Sequence, residues 1–485
     1  MRVPDAERVP GVAVTSRRWE LSYTQEFLWF LGRRWRESDM TSRFTVATAE
    51  AFHGPIDQQA LEDALAAVLR HHEVLRSSIT LDQDRPMVVI EDEVAVPLRY
   101  HDLSDAPRGQ LDELLAGLAG QRVSALEPPP VRFDLVSASD SLHLLHITAH
   151  HLFFDFWSAS VLRAQIRRAY EQALAGTVPE VGGDEAQYVD FAAWQREAAE
   201  HPAARQGLDY WVRELADLPL MAMRTDRSRS WTPTSNARRA MLTIPPSLVE
   251  RLRVLARRHH ASDFMVLSSL FLALLSAVMD QDDVAIPIVF SGRGQPQTQE
   301  MIGYFDNNLF LRQRRLGQES VDELIVRARE SALAAYEHND VPILSVMQRQ
   351  PRLMLLLADP RNIWTLFHLQ TDPDSLAGSV QNFAPPELGS PGGSTGGPDR
   401  SDRFEVEVEA EDSYNFGADL DVTIREADSV IYLRVLYSSD LFDDESVVEL
   451  LRRFGHVLER AVADPAQQVA SVVRGPDGTD RWSQG

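Results

Sequence analysis

His150-His151-Leu152-Phe153-Phe154-Asp155-Phe156-Trp157-Ser158-Ala159 is the stretch on which the reading of this 485-residue chain turns. Just upstream, Leu142 to Thr148 carries Leu, Ile and His in the pattern of a strand, so the paired histidines fall where a strand ends and the chain turns. A histidine at a strand end can face a cleft, and imidazole is the side chain best suited to moving protons near neutral pH. Asp155, four residues past His151, is near enough to orient a ring or to anchor the loop. Taken alone, a His-His pair is more often structural than catalytic, so the wider pattern has to decide.

That pattern, H-H-x-x-x-D-x-x-S, resembles the signature of nonribosomal peptide synthetase condensation domains, members of the chloramphenicol-acetyltransferase-like acyltransferases. Six further stretches resemble the family's motifs in the same order: Leu21–Trp29, Arg70–Arg76, Tyr188–Trp194, Ile302–Asn308, His338–Pro342 and Asp359–Asn362. The likeness runs from about Leu21 to Asp464. It implies an α/β (α+β) fold of two chloramphenicol-acetyltransferase-like lobes, forming a V-shaped pseudo-dimer with a central tunnel. It further implies an acyltransferase that joins a carrier-bound acyl thioester to an amine or hydroxyl acceptor. No bound cofactor is expected, the substrates riding on the phosphopantetheine arms of carrier proteins. Carrier proteins are the expected partners, and a free small-molecule acceptor is an alternative for the second substrate.

The resemblance also distributes roles. His151 becomes the catalytic candidate, while His150 and Asp155 hold the loop. Ser291-Gly292-Arg293 resembles the S-G-R segment after a second-lobe strand, which makes Arg293 the expected partner of Asp155 across the lobes. Gly303 and Asn307 fall in the fifth motif and are expected at the tunnel, where the Asn307 amide either bonds substrate or caps a loop. Ser158 is expected only to bond the start of the next helix. Two departures stand out: Phe156 occupies the position where the family usually has Gly, and Asp306-Asn307-Asn308 replaces the more usual Val-Asn-Thr. A ring at Phe156 could fill the acceptor channel, reshape it, or mark a relative that has lost condensation and recruits carrier proteins or a tailoring enzyme. An acyltransferase acting on acyl-CoA is a further alternative.

Composition narrows the chemistry. There is no cysteine, so disulfides, thiolate metal sites and a cysteine nucleophile are excluded. There is no lysine either: all 48 basic residues are arginine, which removes Schiff-base and P-loop lysine chemistry. A net charge of −24 argues against nucleic acid as the partner. Two local clusters, Arg33, Arg34 and Arg36, and Arg163, Arg167 and Arg168, read either as solvated helix faces or as docking points for an acidic carrier and its phosphate. A zinc site built from His143, His146, His150, His151 and Asp155 is not expected, because strand alternation sends His143 and His151 to one face and His146 and His150 to the other. Gly392-Gly393-Ser394-Thr395-Gly396 matches G-x-S-x-G without the strand and helix that motif requires.

Hydrophobic residues make up 44% of the chain, enough for two cores at on the order of 100 to 200 residues each. In the first, Asp57 caps a helix whose Leu61, Leu65, Val68 and Leu69 share a face. The expected plan is a tail at 1–20, an N-terminal lobe at 21–224, a polar linker at 225–239, and a C-terminal lobe at 240–464 opened by Ile244. A Gly/Pro/Ser-rich loop at 371–403 interrupts that lobe, and 465–485 forms a second tail. Leu420, Val422 and Ile424 with Ile431, Leu433 and Val435 read as a hairpin, and a helix follows Asp443. Residues 1–20 lack an apolar core, and Phe264–Met279 falls short of the roughly 20 residues that span a bilayer. No membrane partner and a cytoplasmic location are therefore expected. With no adenylation or carrier segment in the chain, a free-standing enzyme working in trans is expected.

Overall fold

The computed structural model describes residues 17–34, 44–183, 186–202, 204–229, 236–369, 404–414, 418–427 and 429–474. The chain forms a mixed α/β fold in two compact units. The first unit contains β1 (Arg17–Glu20), α1 (Tyr23–Arg34), β2 (Thr45–His53), α2 (Gln58–His71), β3 (Ser77–Asp82), β4 (Arg85–Ile90), β5 (Leu98–Asp102), α3 (Arg108–Ala119), β6 (Val131–Ser139), β7 (Leu142–His150), α4 (Phe156–Leu174) and α5 (Tyr188–Glu200). Its main sheet has the order β2-β7-β6-β5, and a smaller one the order β1-β4-β3. All nine residues of β7 are buried because it pairs on both edges and is covered on both faces. Asp57 caps α2 by accepting from Ala60 N at 3.0 Å, and the Leu61, Leu65, Val68 and Leu69 stripe is buried, with α4 packed beside it.

The second unit contains α6 (Ala204–Glu214), β8 (Asn236–Ile244), α7 (Pro246–Arg258), α8 (Asp263–Met279), β9 (Asp283–Phe290), β10 (Asn307–Arg314), α9 (Val321–Glu337), α10 (Ile343–Arg349), α11 (Pro351–Ala358), β11 (Thr365–Leu369), β12 (Glu405–Tyr414), β13 (Leu420–Ala427), β14 (Val430–Ser438) and α12 (Asp444–Ala463). Its sheet runs β11-β13-β14-β8-β12, beside the β9/β10 hairpin. The expected hairpin is β13/β14, with Val422 opposite Val435 and Ile424 opposite Leu433. The apolar α8 lies within the core, packed against α7, α9 and α12. Among the described residues, no single helix is long and apolar enough to cross a membrane.

Three boundaries differ from the sequence-based plan. The chain changes unit between His201 and Pro202, not at 225–239. The described residues from α6 to Arg229 are docked: Trp211 Nε1 donates to His338 O at 2.8 Å, and Arg229 grips Asp419 with two bonds of 2.8 and 2.6 Å. Residues 236–239 open β8, in the middle of the sheet, so Ile244 closes a strand instead of opening a lobe. The C-terminal segment is not a tail as far as Arg474, since Val321 N bonds Gln467 O and Val469 N bonds Glu319 O. At the other end, Arg17–Glu20 pairs with β4. The third difference bears on the site: residues 291–306, between β9 and β10, belong to the first unit. The expected loop at 371–403, with Gly392–Gly396, lies outside the described residues, as does Arg36.

Two histidines of the first unit carry a pH signature. Burial holds His72 down to about 3 and His146 to about 4, so both are neutral in the folded protein. In the unfolded chain each titrates near 6.5, so their contribution is complete above about pH 6.5 and is lost as pH falls towards those values, by roughly 1.4 kcal/mol per pH unit for each. Urea unfolding should therefore show a lower midpoint at about pH 5 than at about pH 7.5, and His146→Asn should flatten that slope. Equal midpoints would contradict neutral burial.

Candidate active site

The site is built where β7 stops. His151 N donates to Phe44 O at 2.6 Å and the chain tightens into a 3-10 turn over His151–Phe153. His150 caps that turn, its Nδ1 accepting from Leu152 N at 3.1 Å. His151 Nδ1 lies 2.6 Å from the Phe154 carbonyl oxygen. A carbonyl only accepts, so Nδ1 carries the proton and Nε2 carries the basic lone pair of the neutral ring. The ring is 8% exposed and stands edge-on to two aromatics, Tyr304 at 5.0 Å and Phe156 at 6.1 Å between centroids.

Asp155 performs three tasks at once. As N-cap of α4 it accepts from Ser158 N at 2.7 Å, its own N–H reaches Gly303 O at 3.0 Å, and its Oδ2 accepts from Phe305 N at 3.1 Å. Arg293 Nη2 donates to both Asp155 oxygens, at 2.8 and 3.0 Å, and to Ser158 Oγ at 2.8 Å, while Nη1 donates to the Thr298 and Met301 carbonyls. The guanidinium carbon sits 4.0 Å from the centre of the Phe305 ring. Arg293 and Asp155 both lie in the first unit, so the pair does not bridge the two units as the sequence reading expected. The physical reason is the 291–306 excursion, which carries Arg293 away from the strand that precedes it.

Two glycines permit this closeness. Gly292 has φ +62°, and a Cβ there would lie 2.1 Å from Phe305 O. A Cβ on Gly303 would lie 1.9 Å from the Tyr188 ring. Gly303 is therefore a packing position under Tyr188, and its peptide is tied to Ser158: the carbonyl accepts from Ser158 Oγ at 2.9 Å and the N–H donates to it at 3.0 Å. Asn307, expected at the tunnel, is committed to its own unit. Nδ2 donates to Asn339 O and Val341 O at 3.0 and 2.8 Å, and Oδ1 accepts from Ile343 N at 3.2 Å. It caps the His338–Pro342 loop, and both of its donors are taken there.

Several participants escaped the sequence reading. Ser158 was expected only to start a helix, yet it accepts from Arg293 and clamps Gly303. Its place in H-H-x-x-x-D-x-x-S, at the third helical position after the cap, was the available signal. Ser22 Oγ bonds Tyr188 Oη at 2.9 Å, Thr24 Oγ1 and Tyr188 Oη both donate to Tyr304 O, and Gln25 Nε2 donates to Leu152 O at 2.9 Å. The first, third, fourth and fifth motif-like stretches thus meet in one hydrogen-bonded cluster. The second basic cluster divides: Arg163 is buried against Ala49 O, whereas Arg167, paired with Glu50, and Arg168 stay exposed. No group of ligands able to hold a metal occurs among the described residues.

Comparison with known proteins places this geometry. The sequence model of the family described as Condensation domain matches residues 16–481. A linear gramicidin synthase from Brevibacillus parabrevis is 28% identical over 470 residues, 96% of this chain but 6% of that protein. Isonitrile lipopeptide synthase of Mycobacterium tuberculosis is 29% identical over 474 residues, 95% of this chain and 18% of that protein. The chain thus spans less than a fifth of either relative's length. Among solved structures, the SgcC5 protein of Streptomyces globisporus aligns with TM-score 0.74 at 23% identity, over 93% of this chain and 100% of that one. The X-domain from teicoplanin biosynthesis aligns with TM-score 0.76 at 22% identity, over 96% and 99%.

The cluster predicts a coupled pair. Asp155→Ala strands a buried guanidinium and should cost about 3 to 5 kcal/mol in urea unfolding, whereas adding Arg293→Ala should cost little more. Additive losses would show that the two side chains act independently.

Proposed function

The chain belongs to the condensation-domain family, and we propose that it transfers an acyl group from a carrier-protein phosphopantetheine thioester to an amine or hydroxyl acceptor in natural-product assembly. The observation that carries this reading is the His151 tautomer: the Phe154 carbonyl holds the proton on Nδ1, which leaves the ring's lone pair on Nε2. Carrier and acceptor bring the reacting groups together, and proximity supplies much of the rate. The acceptor lone pair attacks the thioester carbon, His151 Nε2 takes the proton released from the acceptor, and the tetrahedral species expels the pantetheine thiolate. That thiolate regains the proton from the imidazolium. Asp155, Arg293 and Ser158 touch none of the reacting atoms in this scheme; they hold the loop that presents His151.

Incubation with carrier-loaded acyl donors and candidate acceptors, with product followed by mass, tests the proposal. His151→Ala should lower turnover by about 10² to 10⁴ with the fold retained, and a variant keeping more than roughly a tenth of wild-type turnover would remove His151 as the base.

A second reading has one specific observation behind it. The Phe156 ring lies 6.1 Å from the His151 ring, at the position where glycine is usual in the family, and it could block the acceptor. Such a chain would recruit carrier proteins or a tailoring enzyme instead. Phe156→Gly separates the two: a folded variant of an active wild type that accepts bulkier nucleophiles supports a reshaped enzyme. Activity appearing only in the variant supports the recruiting role.

A further inference from the structure

Tyr304 is held at every point but one. Both of its peptides are tied down: Gly303 is clamped by Ser158, Tyr304 O accepts from Thr24 Oγ1 and Tyr188 Oη, and Phe305 N donates to Asp155. Its ring packs edge-on against the His151 ring, 5.0 Å away between centroids, and the residue is 4% exposed. A tyrosine buried to that extent usually has a hydrogen-bond partner for its hydroxyl. Tyr304 Oη bonds no described residue, and it is not among the polar atoms sealed from solvent, so solvent reaches it. The hydroxyl belongs to the ring that meets His151, so the two functional groups can address neighbouring atoms of one substrate.

We propose that Tyr304 is a second catalytic residue, whose hydroxyl donates a hydrogen bond to the thioester carbonyl oxygen as that oxygen becomes the oxyanion of the tetrahedral species. The inference rests on the condensation reading and deepens it. His151 Nε2 takes the proton of the acceptor, and the negative charge that develops on attack falls on the former carbonyl oxygen. When the acceptor lone pair forms the new bond, the C=O π pair moves to that oxygen, which accepts from Tyr304; collapse returns the pair and expels the thiolate. Tyr304 gives up no proton at any stage. Burial, and then the nearby Asp306, Tyr188 and Asp155, push its hydroxyl well above the usual phenol range, so it is a donor and never a second base. The ties on both peptides matter as much, because a donor fixed before the charge appears has no reorganisation left to undergo.

The test is Tyr304→Phe, which keeps the ring on His151 and removes only the hydroxyl. Turnover of a carrier-loaded thioester should fall by about 10² to 10³ with KM little changed, because the lost bond is made in the transition state. The urea midpoint should stay at the wild-type value, since the hydroxyl bonds nothing in the protein. A dithioester donor, with sulfur in place of the carbonyl oxygen, supplies a readout that a structural role would not move, sulfur being the weaker acceptor. Wild type should prefer the oxygen donor, and the Phe variant should lose most of that preference. A Phe variant with more than roughly a tenth of wild-type turnover, one that keeps the full oxygen preference, or one that is destabilised or misfolded overturns the proposal. A wild type inert towards every loaded carrier would defeat the condensation reading as well, whereas an active wild type matched by its Phe variant defeats the Tyr304 assignment alone.

Discussion

A carboxylate and a guanidinium, both nearly sealed from solvent, organise this molecule around themselves: the Asp155 and Arg293 side chains are 0% and 1% exposed. Burying two charges is costly unless geometry and further hydrogen bonds offset the loss of water. Here the offsets are numerous. Asp155 accepts from Ser158 N and Phe305 N in addition to Arg293, and Arg293 reaches two backbone carbonyls besides. Each of these bonds fixes a different stretch of chain. The pair therefore sets the direction of α4, the path of residues 301–305 and the turn that displays His151. A buried pair of this kind contributes less to net stability than to the uniqueness of the arrangement, since removing either partner leaves an uncompensated charge.

Much of this was legible beforehand. α2 with its Asp57 cap, the β13/β14 hairpin and α12 follow from periodicity, because half-buried elements write their burial into the spacing of Leu, Val and Ile, while the fully buried β7 reads from its apolar run. Boundaries followed poorly, for a reason visible at Arg229. A Ser/Arg/Pro-rich segment looks solvated when read locally, but Arg229 is neutralised by Asp419, 190 positions away. Local composition carries no trace of such a partner. The same blindness placed Arg293 in the wrong unit, since Ser291-Gly292-Arg293 follows β9 directly and nothing in the sequence announces that the chain departs there.

The site shows a finer division. His150, His151 and Asp155 were nameable because their spacing is distinctive; the cost of a lone buried acid called for a partner to Asp155, and the resemblance of Ser291-Gly292-Arg293 to the family's S-G-R segment pointed to Arg293. Gly303 and Asn307 were assigned to the right motif; the packing of the first was not foreseen, and for the second the loop-capping alternative is the one its hydrogen bonds fill. One is small because Tyr188 crosses it, and the other is an amide because the His338–Pro342 loop needs two donors and an acceptor. Both are tertiary facts. Tyr304, flanked by two motif residues and resembling nothing in particular, became visible only once its ring was seen against His151.

The 291–306 excursion bears on how the protein is made. Arg293 lies 138 positions after Asp155, so a ribosome adding about 5 to 20 residues per second leaves the acid without its cation for on the order of ten seconds. Through that interval the first unit has its sheets and helices available but not the segment that satisfies Ser158 and Asp155. Its last step of closure thus waits until β9, a strand of the other unit, has left the exit tunnel. The two units are compact in space yet interleaved in time, and during synthesis neither is finished before the other has begun.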